Sequence, residues 1–115
     1  MNSKNFTSLE MSKELARLNL FQDEPESYWS IVKEEDFKGE WTLVNPIDAT
    51  EEYENIIAVP LWRLMEELPS FWDVNIGIDG TWYINEGAQG KVVATDNHLP
   101  DALAKAFIKL KEMWR

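Results

Sequence analysis

Twenty-one carboxylates, one histidine and no cysteine bound the chemistry open to this chain. Two acidic groups stand out by spacing: Glu34-Glu35-Asp36 and Glu51-Glu52. Adjacent acids can hold a hard cation, or can divide into a general acid and a general base where burial separates their pKa values. Neither group has apolar neighbours to do this, so solvated loops are expected. Residues 75–86 invite comparison with a calcium loop, with Asp79, Gly80 and Glu86 in the motif's fifth, sixth and twelfth places. Its third place holds Gly77, which offers no oxygen side chain. The alternation of Val74, Ile76 and Ile78 calls instead for an extended strand. His98 stands just before a predicted helix and reads as a surface residue. No second histidine and no cysteine can join it in a zinc site. No Gly-rich loop leads into Lys-Ser or Lys-Thr, so a phosphate cradle is unsupported. The expectation is no enzyme, with no catalytic residue, cofactor or metal. A carboxylate-based hydrolase is the one enzymatic reading that the acids permit.

The charge is more telling. The chain carries −10, and residues 23–54 alone supply −9, against +1 for residues 1–22 and −2 for residues 55–115. A field of this sign repels nucleic-acid phosphates and attracts basic surfaces. An unidentified, basic protein partner is therefore expected, with no direct nucleic-acid contact. Glu34, Glu35, Glu51 and Glu52 are the partner-facing candidates. Trp62 is the fifth: it lies beside the apolar stripe of a predicted helix, next to Arg63, where half exposure is expected. Tryptophan so placed is enriched in binding hot spots. The remaining tryptophans of the predicted strands, Trp29, Trp41, Trp72 and Trp82, fall on apolar faces and read as core.

The elements that position these residues repeat a pattern. A helix ends, a proline follows, and a serine–aromatic–tryptophan triplet opens a hairpin: Pro25 with Ser27-Tyr28-Trp29, then Pro69 with Ser70-Phe71-Trp72. The return strands carry Trp41 and Trp82. The first helix is expected over about residues 8–19, with Thr7 as N-cap, Glu10 closing a capping box, and Phe6 and Met11 as a hydrophobic staple. Strands are expected at residues 28–33 and 40–44, and a loop at 45–55. Pro60 opens a helix over 61–68, with Arg63 facing outward and Pro69 ending it. Trp72, Val74, Ile76 and Ile78 then alternate towards a two-residue type I′ turn at Asp79-Gly80, and Trp82 and Ile84 return on the buried face. Lys91 to Thr95 can add a fifth strand. A helix over 100–114 closes the chain, its lysines crowding the end where cations complement the dipole. The order α-ββ-α-ββ(β)-α predicts an α+β fold, with antiparallel hairpins and three helices packed on one face.

At 115 residues the chain is expected to form a single domain, 1–115. No apolar run approaches the roughly 18 residues that span a bilayer. The first residues lack the apolar stretch of a signal peptide. A cytoplasmic protein without membrane contact is expected.

Three stretches together resemble a known group: Phe6-Thr7-Ser8-Leu9-Glu10-Met11-Ser12-Lys13-Glu14-Leu15, Pro60-Leu61-Trp62-Arg63-Leu64-Met65-Glu66-Glu67-Leu68-Pro69, and the closing helix with Leu103-Ala104-Lys105-Ala106. In this order they are similar to small uncharacterised proteins encoded in bacteriophage genomes and prophage regions. The shared motifs are helix starts and ends. The resemblance implies a common fold and an accessory protein of a mobile element, and it transfers no functional residue. The functional expectation is a small acidic protein-binding or inhibitory module. The alternative is a structural or assembly module acting as a homo-oligomer, with a homodimer as its simplest form.

Overall fold

The computed structural model describes residues 3–32, 39–51, 53–87 and 90–113. Among these, three helices and two antiparallel sheets follow one another as α-βββ-α-βββ-α. The α+β class and the antiparallel hairpins are those expected from the pattern. A sixth strand and the division into two sheets are the additions.

Ser8, not Thr7, caps helix α1 (Leu9–Arg17): its hydroxyl accepts from the Met11 amide at 3.3 Å. The frame moves by one residue, so the Thr7–Glu10 capping box does not form. Thr7 then stands at N′ and Ser12 at N4, where a polar pair replaces the expected hydrophobic staple. Their hydroxyls lie 2.7 Å apart and both residues are fully buried. The helix ends two residues earlier than expected, in a Schellman motif. Asn19 adopts φ 56°, its amide bonds Ala16 O, and the Leu20 amide reaches back to Leu15 O at 2.8 Å. Asparagine is, after glycine, the residue that enters this left-handed region most readily.

Strand β1 (Ser27–Val32) is the centre of the first sheet, between β2 (Thr42–Val44) and β3 (Tyr53–Ala58). The expected loop over 45–55 thus ends in a strand. Trp29 pairs with Leu43 on one side and Ile56 on the other. Asn55, an unusual strand residue, is held there by its neighbours: the Ser30 hydroxyl donates to its Oδ1, and its Nδ2 donates to Thr50 O at 2.9 Å.

Helix α2 (Leu61–Glu66) turns the chain into the second sheet, β4 (Trp72–Ile76), β5 (Trp82–Glu86) and β6 (Lys91–Asp96), with β5 central. The β4–β5 turn differs from expectation. Gly80 N bonds Gly77 O at 3.1 Å, Gly77 N bonds Thr81 O at 2.8 Å, and only Gly80 has a positive φ, at 85°. Type I′ needs two such residues; this is a type I turn followed by a glycine bulge. Ile78 therefore sits on the turn itself and is fully exposed, and Ile76 beside it is 57% exposed. The expected buried face stops at Val74. At the other end of β5, a Cβ on Gly87 would lie 2.6 Å from Phe71 O, so only glycine lets the two strands meet there. The two sheets have different central strands, so the helix–hairpin repeat of the sequence is not a repeat of topology.

Helix α3 (Leu99–Met113) packs on β5 and β6 and touches α1 and α2, while α1 lies on β3. The core gathers Leu15, Val59, Leu64, Trp72 and Ile84 around Ala102, Leu103, Ala104 and Ala106 of α3. Three alanines in five residues let the helix be enclosed on several sides at once. Trp72 is the most buried tryptophan among the described residues, with its ring 5.5 Å from that of Phe107. Trp29, Trp41 and Trp82 are half-buried rather than enclosed. The result is a flat body of 52 × 34 × 21 Å.

Candidate functional site

The polar residues of the core converge on Phe6-Thr7-Ser8. Thr7 Oγ1 accepts from the Val59 amide at 3.0 Å, and Thr7 N donates to Val59 O at 2.9 Å. Thr7 O accepts from Trp29 Nε1 at 2.9 Å. The Ser8 amide donates to Asp101 Oδ1 at 2.8 Å, and His98 Nε2 donates to Phe6 O at 2.7 Å. Serine, histidine and aspartate types thus meet, yet nucleophile and base are not paired. The Ser12 hydroxyl donates to Ser8 O at 2.6 Å, while His98 is directed at a backbone carbonyl. This cluster ties α1, α3 and the first sheet together. His98, expected on the surface, is half-buried here, and the buried Asp101 had no signal in the sequence beyond its place in a helix's first turn.

The exposed chemistry lies on the other side of Phe6. A groove of about 500 Å³ runs between the N-terminal segment and α2, lined by Phe6, Pro60, Leu61, Trp62 and Met65 with Asn5 and Glu26 at its rim. Trp62 is 53% exposed, as expected, and Met65 is 43% exposed. The indole is not loose: Trp62 Nε1 donates to Glu26 Oε2 at 2.9 Å. Its neighbour Arg63 is turned the other way, contrary to the expectation that it faces outward. Arg63 donates to the carboxylate and the carbonyl of Asp23, and its guanidinium lies 5.5 Å from the Phe21 ring centre. Arg63 thereby holds the Asp23 carboxyl below the usual carboxylate range, chiefly through that hydrogen bond. So the start of the acidic stretch is clamped onto α2 at two points, Asp23 to Arg63 and Glu26 to Trp62. Phe21 and Glu24 take φ values of 57° and 48° in this loop. Left-handed backbone in such residues costs about 1–3 kcal/mol each. The Phe21 ring, edge-on to Phe107 at 5.0 Å, and the Arg63 clamp hold Phe21 in place.

The rest of the described acidic stretch decorates the first sheet. Glu40, Asp48, Glu51 and Glu54 are all exposed, and none forms an ion pair among the described residues. Glu40 and Asp48 flank a groove of about 500 Å³ over Ser30, Thr42, Val44 and Tyr53. Glu51 lines a separate depression with Glu54 and Asn55. Glu34, Glu35 and Glu52 lie outside the described residues. The structure thus joins Trp62 to the acidic stretch through Glu26 and places Glu51 apart from it. Glu26 was missed in the sequence because its partner is 36 residues away. Among the described residues, no three histidines, cysteines or acids converge as metal ligands, and no helix is long and apolar enough to cross a membrane. No protein-family model, curated protein or solved structure matches the chain.

Proposed function

We propose that this chain is a small acidic, non-enzymatic binding module that captures a basic protein partner. The carrying observation is the Glu26–Trp62 pair. It fixes an exposed indole and a carboxylate side by side over an apolar groove. That combination suits a lysine or arginine side chain, which gains a ring face and a counter-charge together. Glu40, Asp48, Glu51 and Glu54, without an ion pair among the described residues, extend the same sign of field over the first sheet and would steer a basic surface inwards. With the resemblance to phage-encoded proteins, the reading becomes an accessory protein acting in the cytoplasm of a bacterial host. Its partner is a host or phage protein that works on nucleic acid, or a basic toxin. Binding would inhibit that partner by covering its cationic surface.

The test begins with affinity capture from a bacterial host and continues with calorimetric titration of the captured protein. A basic protein binding one to one is the expected result. Trp62→Ala should weaken it by about 2 kcal/mol or more, roughly thirty-fold, as a hot-spot residue does. Glu26→Gln should weaken it less. Unchanged affinity in both variants would remove this groove from the interface.

A further inference from the structure

The two sheets expose four strand edges, those of β2, β3, β4 and β6. Strand β2 is only three residues long. Just past β3, the chain is tied by the bridge between Phe6 and Pro60 and by the Thr7–Val59 hydrogen bonds. The β6 edge is covered by lysines of α3: Lys109 Nζ donates to Val93 O, and Lys105 Nζ reaches Thr95 O at 3.5 Å. Lysines and short strands are how folded proteins blunt an edge against pairing. Strand β4 has neither device. Its ladder with β5 and the Gly77–Thr81 bond assign the inward-facing groups to Asp73 and Asn75, so those of Val74 and Ile76 point away from the sheet. Among the described residues they meet no partner, and only the Trp72 amide is taken, by Pro69 O at 3.0 Å. Three exposed apolar side chains flank this edge: Phe71 at 54%, Ile76 at 57%, and Ile78.

We propose that the β4 edge pairs with the β4 edge of a second copy of this chain, joining the two β4–β5–β6 sheets into one continuous antiparallel sheet. The occupant follows from the strand's own complementarity. An antiparallel pairing centred on Val74 sets Val74 against the partner's Val74. The Ile76 amide then meets the carbonyl of the partner's Trp72, which is free to accept. Asp73 falls opposite the partner's Asn75, so no like charges face each other, a juxtaposition that would oppose pairing. Ile76 comes to lie beside the partner's Trp72 and leaves water. Phe71 and the partner's Ile78 close the two ends of the ladder. The charge distribution agrees: residues 55–115 carry −2, while the −9 of residues 23–54 belongs mostly to the other sheet. The copies join through their less acidic halves.

The test is light scattering coupled to size exclusion, with hydrogen exchange over a concentration series on the full chain. The wild type should show twice the 13.4 kDa of one chain. The Val74 and Ile76 amides should exchange more slowly as concentration rises, while those of Asp73 and Asn75, bonded to β5, should not change. Ile76→Lys, an exposed position, should return the mass to that of one chain with circular dichroism unchanged. Val74→Pro removes the outward amide, with some loss of the packing that Val74 gives the core, and should do the same. A wild type of single mass at its highest soluble concentration would overturn the proposal. So would a dimer that persists in both variants, or exchange at Val74 and Ile76 that ignores concentration.

Discussion

Thr7 is fully buried, and its hydroxyl does what a valine of the same shape cannot: it accepts the Val59 amide. Thr7→Val would leave that amide inside the protein without a partner. A loss of about 1–3 kcal/mol is expected, read from urea unfolding. Trp72 and Trp62 form a second contrast. Trp72→Ala should cost about 3–5 kcal/mol, the range for an enclosed aromatic. Trp62→Ala should cost clearly less, because half of that side chain already meets water. Equal losses would show that Trp62 is a packing residue, and the groove would lose its anchor. Asp96 adds a pH signature. Burial opposes its ionisation, but Lys105 Nζ at 2.6 Å and the His98 amide at 2.9 Å outweigh burial and hold its pKa below the ordinary value. A depressed carboxyl stabilises the fold above the unfolded carboxylate range, and that contribution fades as pH falls through the lower, folded value. Asp96→Asn should therefore flatten the acid limb of a stability–pH curve and leave its slope near neutrality unchanged.

At the scale of elements, what was legible depended on whether a local rule could finish the job. Pro60 and Leu61-Leu64 mark a helix whichever sheet it meets, and the stripe Leu103, Phe107, Leu110 marks another. Strand β3 has no such rule. Its sequence Tyr53-Glu54-Asn55-Ile56-Ile57-Ala58 mixes one acid and an amide with two isoleucines, and it becomes a strand by pairing along all of β1. The Ser30–Asn55 bond that makes the amide tolerable crosses 25 positions. Trp62 was legible because exposure follows from helical spacing, whereas Glu26 and the Asp23–Arg63 clamp were not, since both form across 36 to 40 positions. The turn failed for a different reason: Asp-Gly serves type I′ and also type I with a bulge, and only the Asp79 dihedral separates them. The clamp itself makes a prediction. Arg63→Ala removes the hold on Asp23 and the ring contact with Phe21, so a loop with unfavourable backbone at Phe21 should open. Amide exchange at residues 20–26 should rise, while exchange in β5 stays the same. Unchanged exchange would mean that Phe107 alone secures the loop.

At the scale of the whole molecule, the charge and the fold divide the chain in the same way. The described part of the acidic stretch starts on α2, runs over the first sheet, and ends in β3, while Lys105 and Lys109 of α3 lie against the second sheet. On the proposed reading, this asymmetry would orient a basic partner before contact, and such steering acts on the association rate more than on stability. Exposed acids contribute little to folding. Replacing the exposed Glu40, Glu51 and Glu54 by glutamine and Asp48 by asparagine should thus leave the melting transition nearly unchanged. The decisive measurement is stopped-flow association of this variant and the wild type with the captured basic partner across an ionic-strength series. The variant should associate more slowly at low salt and show a shallower dependence on salt. The same rate and the same salt slope in both proteins would contradict an acidic binding surface and leave the charge as a solubility device.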